Sequence, residues 1–217
     1  MTHPTHEHFE ALEPPRIEAE ELFENDPKRD RKLPKRRLAR ERVMQMLYAN
    51  ELGGSDLDLL FKELVEKDLT EADERAASGK PSSTVTEGEE PNGALTFARD
   101  LTFALVKHRE EINNLITGKL QRWDIRRVAL IDRLLIQIGI TELLYFPEIP
   151  PKATINELIE IAKDYSTDES GKFINGLLHA VMTHLRETGE LKKSGRGLIG
   201  DRPMNGEANE PPIATNE

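Results

Sequence analysis

The 217-residue sequence has no cysteine, a single tryptophan and no long apolar run. Without cysteine there is no disulfide framework, no thiolate metal site and no cysteine nucleophile. No segment approaches the roughly 20 apolar residues that cross a bilayer. The opening MTHPTHEHFEALEPP lacks the apolar core of a secretory signal, so a cytoplasmic protein with no membrane association is expected. Also missing are a Gly-rich phosphate loop, a zinc signature and a G-x-S-x-G elbow. His3, His6 and His8 cluster in the leader, where they read as composition rather than as a metal site, and His108, His179 and His184 fall in separate helical segments with no nucleophile motif nearby. The expectation is a binding protein, with no enzymatic activity, metal or cofactor.

Positive charge is scarce overall, with a net charge of −10, which argues against a polyanionic partner if charge is averaged over the chain. The distribution matters more, because exposed charges are screened beyond about 10 Å. From Lys28 to Arg42 the run KRDRKLPKRRLARER holds nine cations and two acids, whereas the acids concentrate in the flanking tails and between Asp56 and Glu90.

Hydrophobic periodicity divides the rest. Residues 1–33 carry prolines and acids without an apolar repeat and read as a disordered leader. Residues 70–93, TEADERAASGKPSSTVTEGEEPNG, read as a flexible acidic insertion, and residues 190–217 as a disordered tail. Between them every pattern is helical, which predicts an all-α domain over 34–189. A first helix spans Lys35 to Leu52 and stops at Gly53-Gly54. Ser55 then caps a short helix with Leu57, Leu60, Phe61 and Leu64 on one face. Leu95 to Leu120 reads as one long amphipathic helix with Leu101, Leu105, Ile112, Leu115 and Ile116 inward, and Trp123 plugs the following turn. Val128 to Phe146 is apolar nearly all round, the mark of a helix surrounded by others, and Pro147, Pro150 and Pro151 end it. Ile155, Leu158, Ile159 and Ala162 define the next helix. A capping box of Ser166 and Glu169 opens the last one, whose stripe is Ile174, Leu177, Leu178, Val181 and Leu185 before Gly189.

The first helix breaks a local rule. Arg36, Arg37 and Arg40 sit in its opening turns, where the helix dipole disfavours each cation by about 0.3–1 kcal/mol at low salt. At 100° per residue, Arg36, Arg37, Arg40, Met44 and Tyr48 fall within an arc of about 120°, beside an inward stripe of Ala39, Val43, Met46 and Leu47. A basic face ending in an aromatic suits single-stranded RNA, with guanidinium groups on phosphates and a ring on an unpaired base. A solvated charged face with Tyr48 half buried explains the same pattern equally well.

Four strings, KRRLARERVMQMLYANEL, ALIDRLLIQIGITELLY, IPPKATINELIEIAKDYS and GKFINGLL, occur in this order with helical spacing between them. Together, over Lys35 to Leu185 without the insertion, they resemble the bacterial NusB antitermination family. The resemblance implies two small helical bundles of six to seven helices. It also implies binding of single-stranded box A RNA in ribosomal RNA transcripts together with the ribosomal protein NusE, and through them an indirect part in the RNA polymerase antitermination complex. Carried over by position, the family's RNA-binding residues fall on Arg36, Arg37, Arg40 and Tyr48. Leu38 stands where some members have a further arginine, and Lys32 and Lys35 lie close enough to compensate. The same resemblance nominates Glu169, Lys172 and Phe173 as a second RNA surface, although Phe173 taken by itself reads as core rather than as an RNA contact.

Asp132 and Arg133 interrupt the most apolar helix, where unpaired burial costs several kcal/mol. The resemblance puts both near the NusE surface, while internal salt bridging serves equally well for Arg133. Glu142, Asn156 and Glu157 match the family pattern and read as structural hydrogen-bonding residues. Two rival readings are the NusB-like module at the front of some ribosomal RNA cytosine methyltransferases, against which the missing cysteine and cofactor domain argue, and a helical scaffold without an RNA role.

Overall fold

In the computed structural model the described residues are 34–78, 93–120 and 125–198. The expectations for the leader, residues 79–92, Trp123, the three leader histidines and residues 199–217 lie outside them.

Helix α1 (Lys35–Gly53) starts after Pro34, whose fixed φ of −54° needs no helical amide, and ends where Gly54 turns left-handed at φ 62°. A short α2 (Leu57–Leu60) follows. Asp56, not Ser55, caps it by accepting from the amides of Asp58 and Leu59. The chain then widens into a π-helical stretch (Phe61–Glu66) and runs on as α3 (Lys67–Ser78). The first nine residues of the stretch read as a flexible insertion are therefore helical. Their Ala and Glu content favours helix, and Leu69 is buried beneath them.

The long helix expected over Leu95–Leu120 is two helices, α4 (Gly93–Lys107) and α5 (Arg109–Leu120), meeting at His108. Leu101, Leu105, Ile112 and Ile116 are buried as the periodicity required, and Leu115 is half buried. A 3-10 turn at Ile125–Arg127 leads into α6 (Leu130–Tyr145). Pro151 opens α7 (Pro151–Tyr165) at the one helical position where its missing amide costs nothing. The last long helix is α8 (Asp168–Glu187).

Helix α6 is the axis of the fold. Every residue from Leu134 to Leu143 is buried, because α1 and α4 pack on one side and α5, α7 and α8 on the other. The two groups of helices share one continuous apolar core. Gly139 allows close packing of the helices: a Cβ there would lie 2.8 Å from side-chain carbons of both Leu158 and Leu178.

The C-terminal tail does not begin at residue 190. Leu191 packs on the core and donates its amide to the Leu185 carbonyl. Lys193 Nζ donates to the carbonyls of Glu142 (3.0 Å) and Phe146 (2.9 Å), closing the end of α6. Ser194 donates its amide to Pro147. Gly197, in a 3-10 turn at Gly195–Leu198, presses so tightly on that proline that a Cβ would fall 1.9 Å from its carbonyl oxygen. Docking through one leucine, backbone groups and one ammonium leaves no apolar period to read in the sequence.

Gly139→Val should lower unfolding stability by about 1–3 kcal/mol, since added methyl groups must displace two packed leucines. Urea denaturation checks this, and an unshifted midpoint would mean that α7 and α8 move apart freely.

Candidate nucleic-acid interface

The residues that the helical wheel groups on one face of α1 are separated by their surroundings. Arg36 is exposed, with its guanidinium 5.3 Å from the centre of the Phe97 ring on α4. Arg37 lies half buried against α7: its Nε donates to Glu157 Oε2 at 2.6 Å and its Nη2 to Oε1 at 3.1 Å. That hydrogen bond is the foremost cause holding the Arg37 guanidinium above its ordinary pKa, against the smaller downward pull of burial.

Arg40 is only 3% exposed, and Met44 beside it 1%. The outward basic face therefore ends after Arg37. Arg40 Nε and Nη2 donate to the two oxygens of Glu142 at 2.6 and 2.8 Å, with the other side of the guanidinium 5.1 Å from Phe97. Burial pulls the Arg40 pKa down, but the charge and hydrogen bonds of Glu142 exceed that pull and the group stays above its ordinary value. Thr154 donates a further hydrogen bond to Glu142 at 2.7 Å. The structural reading of Glu142 and Glu157 matches this geometry; Asn156 is exposed.

Farther along α1 lies a polar cluster that the sequence did not reveal. Glu41, Arg42 and Gln45 are buried although they sit among the charged positions of the pattern. Tyr165 donates its hydroxyl to Glu41 (2.6 Å), Gln45 donates to the Tyr165 oxygen (3.1 Å), and Arg42 donates to Gln45 (2.7 Å) while its Nε lies 2.7 Å from Asp68. The only sequence signal is Tyr165 at the end of α7, a ring whose hydroxyl needs a partner once buried.

Because Tyr165 reaches α1, the corner between α7 and α8 is held on the α1 side of the molecule, and with it the opening turns of α8. There Lys172 and Glu169 form an exposed pair at 3.1 Å, and Phe173 is half buried against the core. Tyr48 is likewise half buried against the core. Lys35 is partly exposed, its Nζ 2.8 Å from Asp73 on α3.

Asp132, expected at a partner surface, is 6% exposed and faces inward. Its oxygens accept from Ser166 Oγ at 2.6 Å and Ser170 Oγ at 2.8 Å. The capping box read from Ser166 and Glu169 does not form, because Asp132 takes the serine and the helix begins after Thr167 with no side-chain cap. Arg133 joins Arg109 on the Glu51 carboxylate, at 3.4 and 2.5 Å, which is the internal salt bridge allowed by the sequence. Among the described residues no cluster of His, Cys, Asp and Glu has the arrangement of a metal site, and no helix is long and apolar enough to cross a membrane.

Fold and site together define a class: an all-helical protein whose two helix groups share a core through one apolar axis, with a basic first helix fastened to both groups by arginine–carboxylate pairs. The model of the NusB family matches residues 37–183. The chain belongs to the NusB family. It is 41% identical over 165 residues to the transcription antitermination protein NusB of Salinibacter ruber, covering 76% of this chain and 91% of that one. It is 37% identical over 164 residues to the protein of the same description from Chloroherpeton thalassium, covering 76% and 69%. Among solved structures it resembles NusB from Aquifex aeolicus in solution, with a TM-score of 0.55, 25% identity and coverage of 77% and 99%. It also resembles a chain from a crystal structure of the antitermination factors NusB and NusE with double-stranded RNA, with a TM-score of 0.53, 25% identity and coverage of 70% and 99%.

Glu142→Gln should cost about 3–5 kcal/mol of stability, since it leaves the Arg40 charge buried without its counter-charge. Removing both members, as Arg40→Met with Glu142→Leu, should recover much of that loss in thermal melts. If the double variant is less stable than Glu142→Gln, the pair is not the source of the cost.

Proposed function

We propose that this chain is an RNA-binding transcription antitermination factor that recognises single-stranded box A RNA of ribosomal RNA transcripts in company with NusE, and through them acts on the RNA polymerase antitermination complex. The observation that carries this reading is the family match over residues 37–183 combined with cations exposed at the opening of α1. A solved structure of similar fold holds the antitermination factors NusB and NusE with double-stranded RNA.

Lys35 and Arg36 are the phosphate ligands of α1 in this reading, and Lys172 that of α8, with Phe173 and Tyr48 offering ring edges or faces to bases and Glu169 orienting Lys172. Arg37 and Arg40 act one step back. Their guanidinium groups are engaged by Glu157 and Glu142, so they set the position of α1 rather than neutralise RNA. Arg133, paired with Glu51 next to the exposed Leu52, marks the surface for NusE, with Asp132 shaping it from beneath.

In a mobility-shift assay the chain should prefer box A RNA to a scrambled control, more strongly with NusE present. No preference even with NusE would sink the reading. With three cations on single-stranded phosphates, log affinity should fall with log salt at a slope of about −2, and Arg36→Ala should flatten it by about 0.7. An unchanged slope would remove Arg36 from the surface. Arg133→Glu should weaken NusE capture while leaving binding of RNA alone intact, and equal losses of both would argue against a separate partner surface.

A further inference from the structure

Helix α3 is acidic and lies beside the basic helix in the opposite direction. Asp68 sits 2.7 Å from Arg42, and Asp73, further along α3, sits 2.8 Å from Lys35, earlier on α1. The two contacts differ in kind. Arg42 and Asp68 are 5% and 14% exposed and fix the root of α3 on α1, whereas Lys35 and Asp73 are 40% and 20% exposed, at the edge of the surface assigned to RNA.

An ammonium held by a carboxylate is held by the same chemistry that would hold it to a phosphate: a charge-assisted hydrogen bond to an anionic oxygen. Solvent weakens the outer pair enough for exchange, because water and salt screen exposed charges. The root pair is out of water, so α3 stays in place while its outer carboxylate is exchanged. A phosphate approaching Lys35 meets a site already filled.

Resting on the RNA-binding reading above, we propose that Asp73 is a built-in competitor for RNA at Lys35, occupying the place of a phosphate, so that binding at this end of α1 exchanges one anion for another. The device attenuates binding of any RNA, since it acts on a backbone contact and reads no base.

The test uses the full chain and a fluorescently labelled single-stranded box A oligoribonucleotide, with affinity read by anisotropy. At about 50 mM salt, Asp73→Asn should bind about two- to fivefold more tightly than the unsubstituted chain, and the gain should shrink toward none as salt rises and the Debye length falls. A gain of this kind cannot come from misfolding. In a Lys35→Ala background the same substitution should give no gain. Unchanged or weaker binding by Asp73→Asn overturns the proposal. So does an equal gain with and without Lys35, which would make Asp73 a general repulsive charge and not the occupant of that ammonium. Failure of the unsubstituted chain and of every variant to bind the oligonucleotide overturns the RNA-binding reading, and the competitor with it.

Discussion

A guanidinium and a carboxylate, both removed from water, join the two halves of this molecule. Arg40 comes from the helix that leads the first group, Glu142 from the apolar axis, and Thr154 from the helix after it. Each charge alone in that place would be costly, and together they satisfy one another with two short hydrogen bonds. The pair fixes the rotation of α1 about its own axis. Once that rotation is set, Arg37 meets Glu157, Arg36 is directed outward over Phe97, and Glu41 and Gln45 reach Tyr165. The exposed cations at the start of α1 thus owe their placement to buried ones further on.

This arrangement separates two jobs that one arginine-rich string suggests are a single job. Cations at the start of a helix oppose its dipole, and two of the three arginines are compensated by carboxylates from other helices. Four acids, Glu157, Glu142, Asp68 and Glu51, pair with Arg37, Arg40, Arg42, Arg109 and Arg133. Among the described residues, the cations left at the basic end are Arg36 and Lys35, and Lys35 is itself shared with Asp73.

Local features were legible in the sequence. The stop at Gly53-Gly54, the apolar axis of α6 and the stripe from Ile174 to Leu185 follow from backbone preference and helical period, which each segment carries by itself. Features that depend on a distant partner were not. A wheel shows that Arg40 and Arg36 share a face, but not that α4 and α6 cover one and leave the other open. Ser166 and Glu169 form a plausible cap until Asp132, 34 residues away, captures the serine. Residues 190–198 look like tail because they attach through a single leucine, Leu191, through Lys193 and through the bare backbone of Gly197, which together leave no hydrophobic period. The resemblance supplied the family, while the division of its arginines between surface and interior required the packed structure.

The ring of Phe97 lies against both Arg36 and Arg40 and meets Phe146 edge-on at 5.5 Å. A long, flexible side chain ordinarily gives up much rotamer freedom when a ligand immobilises it. Resting on a ring that is itself clamped between a buried guanidinium and a second aromatic, Arg36 has surrendered part of that freedom before any ligand arrives. The ordering cost at this position is thereby transferred from binding to folding, where a large shared core absorbs it.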